Sequence, residues 1–365
     1  MSKSIYFSVT NDLTTDQRMR RICTSLQVNG YDVTIIGRDP TKPIPARIYK
    51  QIRLKSWFKK GKAMYIEYNI RLLFSLLTQK KPDAFVAIDL DTIIPVYMAS
   101  RFRSVQRVYD AHEWFSEMKE VITRPAVKRI WKWVEKTFVP RFPNGYTVSY
   151  SIADSFKQLY VVSYPVFMNA TDLKHSGQIE HNHKPYLLYQ GAVNQGRCLE
   201  WLIPAMKKVD MPLWICGEGN FMQQTRSLIV QHNLSNKIRL LGNLPPEDLL
   251  NITREAYAGI NLIEPLGNNQ LMSLANKFFD YFHCGIPQLT MNFTEYRRIN
   301  DQIKVAVLID NPDPELISEY LNKLIENKVL YEELRSNCKH AAKLFNWEVE
   351  QRKLLDFYKK LFNEV

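Results

Sequence analysis

The chain has 365 residues, 45% of them apolar and 24% charged, with a formal net charge of +12. That balance excludes a disordered chain and gives room for two domains of ordinary size. The positive charge points to acidic partners: nucleic acid, anionic lipid or phosphorylated substrates. Five scattered cysteines, with no CxxC and no His/Cys cluster, predict reduced thiols, a cytoplasmic setting and no resident metal. No signal-peptide pattern opens the chain, and no window of about 18 residues is apolar enough to span a membrane.

The first half alternates strand and helix signals. Ile5–Val9 reads as a short buried strand, a helix follows from about Asp16 to Asn29 with Gly30 as its stop, and Asp32–Gly37 is the next strand. This unit opens like a Rossmann-type half. It lacks G-x-G-x-x-G at the first turn, so a dinucleotide cofactor is not expected. Lys42–Lys62 holds eight basic residues and no acidic one, interleaved with Tyr49, Trp57 and Phe58, and an apolar helix over 65–77 comes next. Two readings stay open: a basic-aromatic surface for an anionic membrane, or a solvated loop before a core helix. No helix-turn-helix, zinc or RNP-like pattern supports nucleic-acid binding.

Ala84–Ile88 is a strand ending in Asp89-Leu90-Asp91. An Asp-x-Asp pair is able to hold a cation on a diphosphate, yet it leads into a helix, so an N-cap is the simpler expectation. Gln106–Asp110 delivers Ala111-His112-Glu113 to a carboxyl strand end, where open α/β sheets bind ligands. His112 is therefore a site candidate, with a satisfied core histidine as the alternative. A helix over 126–139 sets Trp131 and Trp133 among Lys128, Arg129, Lys132 and Lys136, a second basic-aromatic surface. Gly145–Tyr150 and Ser163–Met168 read as strands. The polar stretch from Lys174 to Lys184 marks a domain boundary.

A second α/β series starts at Tyr186–Gly191. Strands are expected at 212–216, 238–242, 258–263 and 305–309, with Glu264–Met272 as an irregular loop and three helices over 313–326, 330–344 and 347–362. Between them lies Ser273-Leu-Ala-Asn-Lys-Phe-Phe-Asp280, read as a helix start, with Gly285 placed to end the helix. A helix start offers unpaired N–H groups that suit phosphate, Lys277 adds a cation, and Asp280 sits one turn on, where a carboxylate is able to take two ribose hydroxyls. A capped amphipathic helix with a surface lysine is the plainer reading.

Together these stretches resemble a known family. Tyr189-Gln-Gly191 with Gly196-Arg197, Cys216-Gly-Glu-Gly219, Arg239-Leu-Leu-Gly242 and Asn276-Lys-Phe-Phe-Asp-Tyr281 with Gly285-Ile-Pro287 look like successive strand-end motifs of retaining, family-four glycosyltransferases. Val9–Arg18 and Tyr109-Asp-Ala-His-Glu113 are similar to a bacterial branch, and Asn346-Trp-Glu-x-Glu350 with Tyr358 to its terminal helix. The resemblance implies the GT-B architecture. An acceptor domain (1–168) and a donor domain (185–345) face each other across a cleft, and the 347–365 helix returns to the first. It implies a nucleotide-diphosphate sugar as substrate, with no cofactor, and no metal is needed if Arg197, Lys277 and the helix start neutralise the diphosphate. The basic-aromatic segments, both in the acceptor domain, point to a glycan or lipid-linked acceptor presented at the cytoplasmic face of a membrane. Arg197 and Lys277 match the family's diphosphate cations, and Asp280 the ribose carboxylate. Gly191, Gly217, Glu218 and Gly219 fall at the nucleotide turns, Asn11 and Asp12 in the first loop, and His112 beside the transferred sugar. Ser273 and Asn276 complete the helix start.

Two positions depart from the pattern. Met272 stands where the first of two glutamates is usual, which leaves the sugar-contacting carboxylate displaced, absent or supplied by Glu264, and Thr-Asn-Asp replaces a glycine-rich first loop. Two alternatives stay open: a non-hydrolysing nucleotide-sugar epimerase, which uses the same two-domain fold, and a membrane-surface protein whose sugar site has decayed, which the departure at Met272 keeps open.

Overall fold

The computed structural model of the protein describes residues 2–11, 13–14, 16–39, 44–173 and 184–363. The chain forms two compact units. The first comprises Met1–Asn169, Gly267–Asn269 and Glu350–Val365, and the second Ala170–Leu266 and Gln270–Val349.

The first unit is built on six parallel strands: β1 (Ser4–Ser8), β2 (Asp32–Arg38), β3 (Lys50–Leu54), β4 (Ala84–Ile88), β5 (Gln106–Ala111) and β6 (Asn144–Thr147). Their order is β3-β2-β1-β4-β5-β6, and Ile5 sits opposite both Val33 and Ala84. The near-continuous apolar run of β4 is what a strand covered on both faces needs, and all five of its residues are buried. Part of the Trp347–Leu361 helix belongs to this unit. Tyr358 is fully buried against the rings of Tyr146 and Phe7, and the Glu350 carboxylate accepts the Met168 N–H at 3.0 Å.

The second unit repeats the plan with β7 (Leu187–Gln190), β8 (Leu213–Cys216), β9 (Ile238–Gly242), β10 (Ala258–Asn261), β11 (Gln288–Met291) and β12 (Ala306–Ile309), in the order β12-β11-β10-β7-β8-β9. Each sheet changes winding direction once, between β1 and β4 and between β10 and β7. Loops that leave the carboxyl ends of such a pair diverge and open a crevice. Two Rossmann-like α/β units in one chain are the GT-B fold class expected from the sequence.

Several local expectations are corrected. Lys50–Leu54 is an edge strand that pairs only with β2 and hides in the basic stretch because its side chains alternate Lys, Ile, Leu with Gln and Arg. Ser163–Met168 makes only an isolated bridge, Val166 to Thr147, since Pro165 removes a ladder donor. The 264–272 loop contains a short helix, Asn268–Met272. Asp89 and Asp91 do not cap the helix that follows them. Most of the polar boundary segment, together with Lys42, lies outside the described residues. Among the described residues no helix is long and apolar enough to cross a membrane.

Candidate functional site

In the second unit the loop after β7 and the loop after β10 flank the switch point. They are joined where the Glu264 N–H donates to the Gly196 carbonyl at 3.1 Å. The loop after β7 is also locked to the loop after β8. Val193 N–H donates to Glu218 O at 3.0 Å, and Asn194 and Asn220 each accept a backbone N–H from the other's loop at 3.0 Å. Gly217 is required there. Its φ is +147°, and a Cβ would lie 1.9 Å from the Gly191 carbonyl oxygen. A Cβ on Gly219 would lie 2.3 Å from Val193 O. Gly191 itself has φ +114°. The result is a floor of bare backbone onto which a ligand is able to descend, with the Glu218 side chain exposed at its edge.

Above that floor sits Lys277. It is the second residue of the Asn276–His283 helix and only 9% exposed. Its Nζ lies 4.0 Å from the centre of the Tyr189 ring and would be 3.8 Å from a Cβ on Gly191. Among the described residues no hydrogen-bond acceptor reaches it. Burial, and then the positive charge of Arg197, push its pKa well below the ordinary lysine value. A buried ammonium with only a ring face for company is costly, and an anion placed beside it and Arg197 would remove that cost.

Asp280, one turn on, is already engaged. Its Oδ1 accepts the Thr171 hydroxyl at 2.7 Å and its Oδ2 the Gln190 amide at 3.1 Å, while Gln190 Oε1 accepts the Thr253 hydroxyl at 2.7 Å. Ser273 does not open the helix, because Ala275 holds the N-cap position and Asn276 is the first helical residue, exposed. Ser273 lies in the link from Asn268–Met272. Glu264 is partly exposed on the β10 loop.

In the first unit, polar groups gather at the ends of β1, β4 and β5. His112 follows β5, with its Nδ1 3.8 Å from Asp89 Oδ2. Burial and the Arg18 guanidinium hold the imidazole below its ordinary pKa. Asp89 has φ +55° and ψ 176°, a conformation costly for any residue but glycine, and its Oδ1 accepts the Glu113 N–H at 2.9 Å. Asp91 is buried, accepts the Thr10 hydroxyl, and is pushed by burial up to about 7. Asn11 shapes the first loop. Its Oδ1 accepts the Leu13 N–H, its carbonyl accepts the Arg38 N–H, and its amide donates to Asp16, which caps the next helix. Asp12 lies outside the described residues. Among the described residues no group of three or more His, Cys, Asp or Glu is placed to hold a metal.

Residues 172–345 match the family model described as glycosyl transferases group 1. That span runs through nearly all of the second unit. The second unit is similar to that family along this span. An uncharacterised glycosyltransferase of Methanocaldococcus jannaschii is 24% identical over 161 residues, which are 44% of this chain and 44% of that relative; the chain thus spans under half of the relative's length in the match. Among solved structures, the sucrose-phosphate synthase of Thermosynechococcus elongatus superposes with a TM-score of 0.82 at 14% identity, covering 100% of both chains. Anabaena HepE, in complex with UDP and glucose, gives 0.77 at 11% identity, covering 98% of this chain and all of its own. At such identities the structural likeness establishes the shared fold.

Within the second unit, the structure brings together Gly191, Arg197, Gly217, Glu218, Gly219, Glu264, Asn276, Lys277 and Asp280 around the ends of β7, β8 and β10. Ser273 is near in sequence but off the helix start. Two features escaped sequence reading. One is the buried ion pair of Arg18 and Asp110, 2.9 Å apart, with Arg18 also donating to Phe167 O at 3.2 Å. Its signal was present: Arg18 falls on the apolar face of its helix, four residues before Ile22. The other is the Gly267–Asn269 segment, which belongs to the first unit, where Asn269 Oδ1 accepts the Trp114 N–H at 2.8 Å and Asn268 donates to Glu117 at 3.2 Å. No local pattern announces a chain excursion of that kind.

Proposed function

We propose that the protein transfers a sugar, with retention, from a nucleotide-diphosphate sugar to a glycan or lipid-linked acceptor, in surface polysaccharide or glycoconjugate synthesis. The observation that carries this reading is Lys277, a buried amine without an acceptor among the described residues, set over a glycine floor at the switch point of a unit similar to the group 1 glycosyl transferases. Cleavage of the sugar–phosphate bond leaves charge on the diphosphate. Lys277, Arg197 and the helix start at Asn276 would stabilise that charge where it develops, in the role a metal plays elsewhere.

In this reading the Gly217-Glu218-Gly219 turn borders the base, and Asp280 takes a ribose hydroxyl. Glu264 faces the sugar in place of the glutamate that Met272 replaces. In the first unit, His112 and Asn11 are the residues that the family resemblance assigns to substrate binding. The acceptor hydroxyl gives its proton to the departing phosphate oxygen as the new glycosidic bond forms. The UDP held by Anabaena HepE makes uridine the first base to test. Five thiols without a disulfide support a cytoplasmic setting.

The test is turnover. Nucleotide sugars are incubated with glycan and lipid-linked acceptors, nucleoside diphosphate release is followed, and the anomer of the product is read by NMR. Acceptor-dependent release with a retained anomer is expected, and Lys277→Met should lower kcat about 10²–10³-fold, the scale of removing one transition-state charge donor. Turnover of the nucleotide sugar with no acceptor would establish the epimerase instead. Absence of turnover with every pair, together with no nucleotide binding, would overturn the proposal.

A further inference from the structure

The Gly61–Thr78 helix buries Met64, Tyr68 and Leu72 against the first unit, and an apolar residue is usual on such a face. Its opposite face is unusual. Ile66, Ile70 and Phe74 recur at four-residue spacing and all three are exposed, Phe74 by 64%. A single exposed isoleucine needs no explanation, whereas a stripe along the full outer face of an 18-residue helix does. The stripe is extended on both sides. Trp57, 83% exposed, lies just before the helix and is fixed onto it, because the Trp57 and Phe58 N–H groups donate to Glu67 and Arg71 stacks over the Trp57 ring at 4.9 Å. The neighbouring Pro125–Phe138 helix meets it through Tyr65 and Trp131, 5.9 Å between rings, and presents Ile130 and Trp133 outward.

The charge around this apolar surface is one-sided. From Lys55 to Lys81 there are seven basic residues and one acidic. That acid, Glu67, is taken up by two backbone N–H groups and by Arg71 at 2.8 Å. On the Pro125–Phe138 helix the one acid, Glu135, is buried and bonded to Ser116 and Lys132, while Arg129 and Lys136 are exposed beside Trp133.

We propose that this outer helix face of the first unit lies on an anionic lipid bilayer, with the Ile66–Ile70–Phe74 stripe and the Trp57 and Trp133 rings entering the headgroup boundary and the surrounding lysines and arginines meeting lipid phosphates. Amphipathic helices bind in the plane of a bilayer by this combination of apolar insertion and cationic rim. A second copy of the chain is a poor occupant, because two such faces would bring like charges together. Nucleic acid is the poorer match, because Ile66 and Ile70, exposed along the middle of the stripe, give a base neither a stacking plane nor a hydrogen bond, whereas a bilayer takes them in. The inference stands apart from the transfer reaction proposed above, since it concerns a surface and not the donor site.

The experiment is flotation of the full chain with phosphatidylcholine vesicles and with vesicles of mixed phosphatidylglycerol and phosphatidylcholine. Wild type should float with the anionic vesicles only, and less as salt rises. Ile66→Gln/Ile70→Gln/Phe74→Gln should lower partitioning more than tenfold. Arg129→Gln/Lys136→Gln should lower it about fivefold for each cation removed, as expected for basic residues near an anionic surface. Both variants change exposed side chains and should keep the wild-type melting temperature and nucleotide binding. The inference is overturned if wild type stays unbound to anionic vesicles, or if the charge variant loses binding while the apolar variant keeps it, which marks simple adsorption. It is equally overturned if the chain retains RNA or DNA on a filter but no vesicles.

Discussion

Lys277→Met separates the cost of the candidate donor site from its use. The amine is buried, donates to no hydrogen-bond acceptor among the described residues and has a depressed pKa. Leaving a buried polar group unsatisfied costs about 1–3 kcal/mol, and methionine fills nearly the same space over the Tyr189 ring with a thioether that favours such a contact. The ligand-free variant should therefore be more stable than wild type by about 1–3 kcal/mol, or about 1–4 °C in melting temperature for a chain of this size. The sign with pH follows from the depressed pKa. The unfolded chain binds the Lys277 proton over a range where the folded chain has released it, so wild-type stability rises with pH toward the unfolded lysine value near 10.4 and the variant loses that rise. Ligand shifts the balance back toward wild type by about 2.3 kcal/mol. A nucleoside diphosphate at about 100 times its Kd stabilises wild type by about 2.7 kcal/mol; if losing the cation weakens binding about 100-fold, the same concentration stabilises the variant by only about 0.4 kcal/mol. Calorimetric melts of both proteins, with and without UDP and its relatives, at pH 7 and pH 9, give all four quantities. A variant that melts below wild type without ligand and still gains the wild-type shift with ligand would refute the reasoning.

Three further substitutions test the scaffold around the two sites. Gly217→Ala places a Cβ 1.9 Å from the Gly191 carbonyl at φ +147°, so a loss of about 3 kcal/mol is expected, read from the urea midpoint. Arg18→Met leaves Asp110 charged and buried without its partner and should cost about 3–5 kcal/mol; adding Asp110→Leu should recover most of that loss in the same unfolding assay. Asp91 has a folded pKa of about 7, above its unfolded value near 3.9. Its contribution is therefore fully present below pH 4 and is lost as pH rises through 7, so Asp91→Asn should stabilise the protein at pH 8 and leave it nearly unchanged at pH 4.

What was legible in the sequence was whatever repeats. Short apolar runs at regular spacing with Gly stops announced nearly every strand of both sheets, because a doubly covered parallel strand has no other way to be written. The glycine turns after β7 and β8 were legible for a similar reason: close backbone approach at Gly217 leaves one residue type able to stand there. Lys277 could be picked out as a cation near a helix start, but its burial over Tyr189 could not, since that depends on where β7 lies relative to a helix 87 residues later. Edge strand β3 was hidden by its basic residues. Ser273 was misplaced because the short Asn268–Met272 helix ahead of it carries no capping signal. Asp280 was read as free to meet ribose, while its partners Thr171 and Gln190 come from parts of the chain that no local pattern connects to it. The strain at Asp89 was likewise invisible, because the residue type commonly found at φ +55° and ψ 176° is glycine.

The most direct test of the donor site is equilibrium binding. UDP, GDP, ADP, dTDP and, as a control, CMP are titrated by calorimetry into wild type, Lys277→Met and Arg197→Gln. The account predicts that one nucleoside diphosphate binds wild type, that CMP does not, and that each variant weakens the tight ligand by about 30-fold or more, the equivalent of at least ~2 kcal/mol. Equal affinity in all three proteins, or no binding by any diphosphate to wild type, would contradict it.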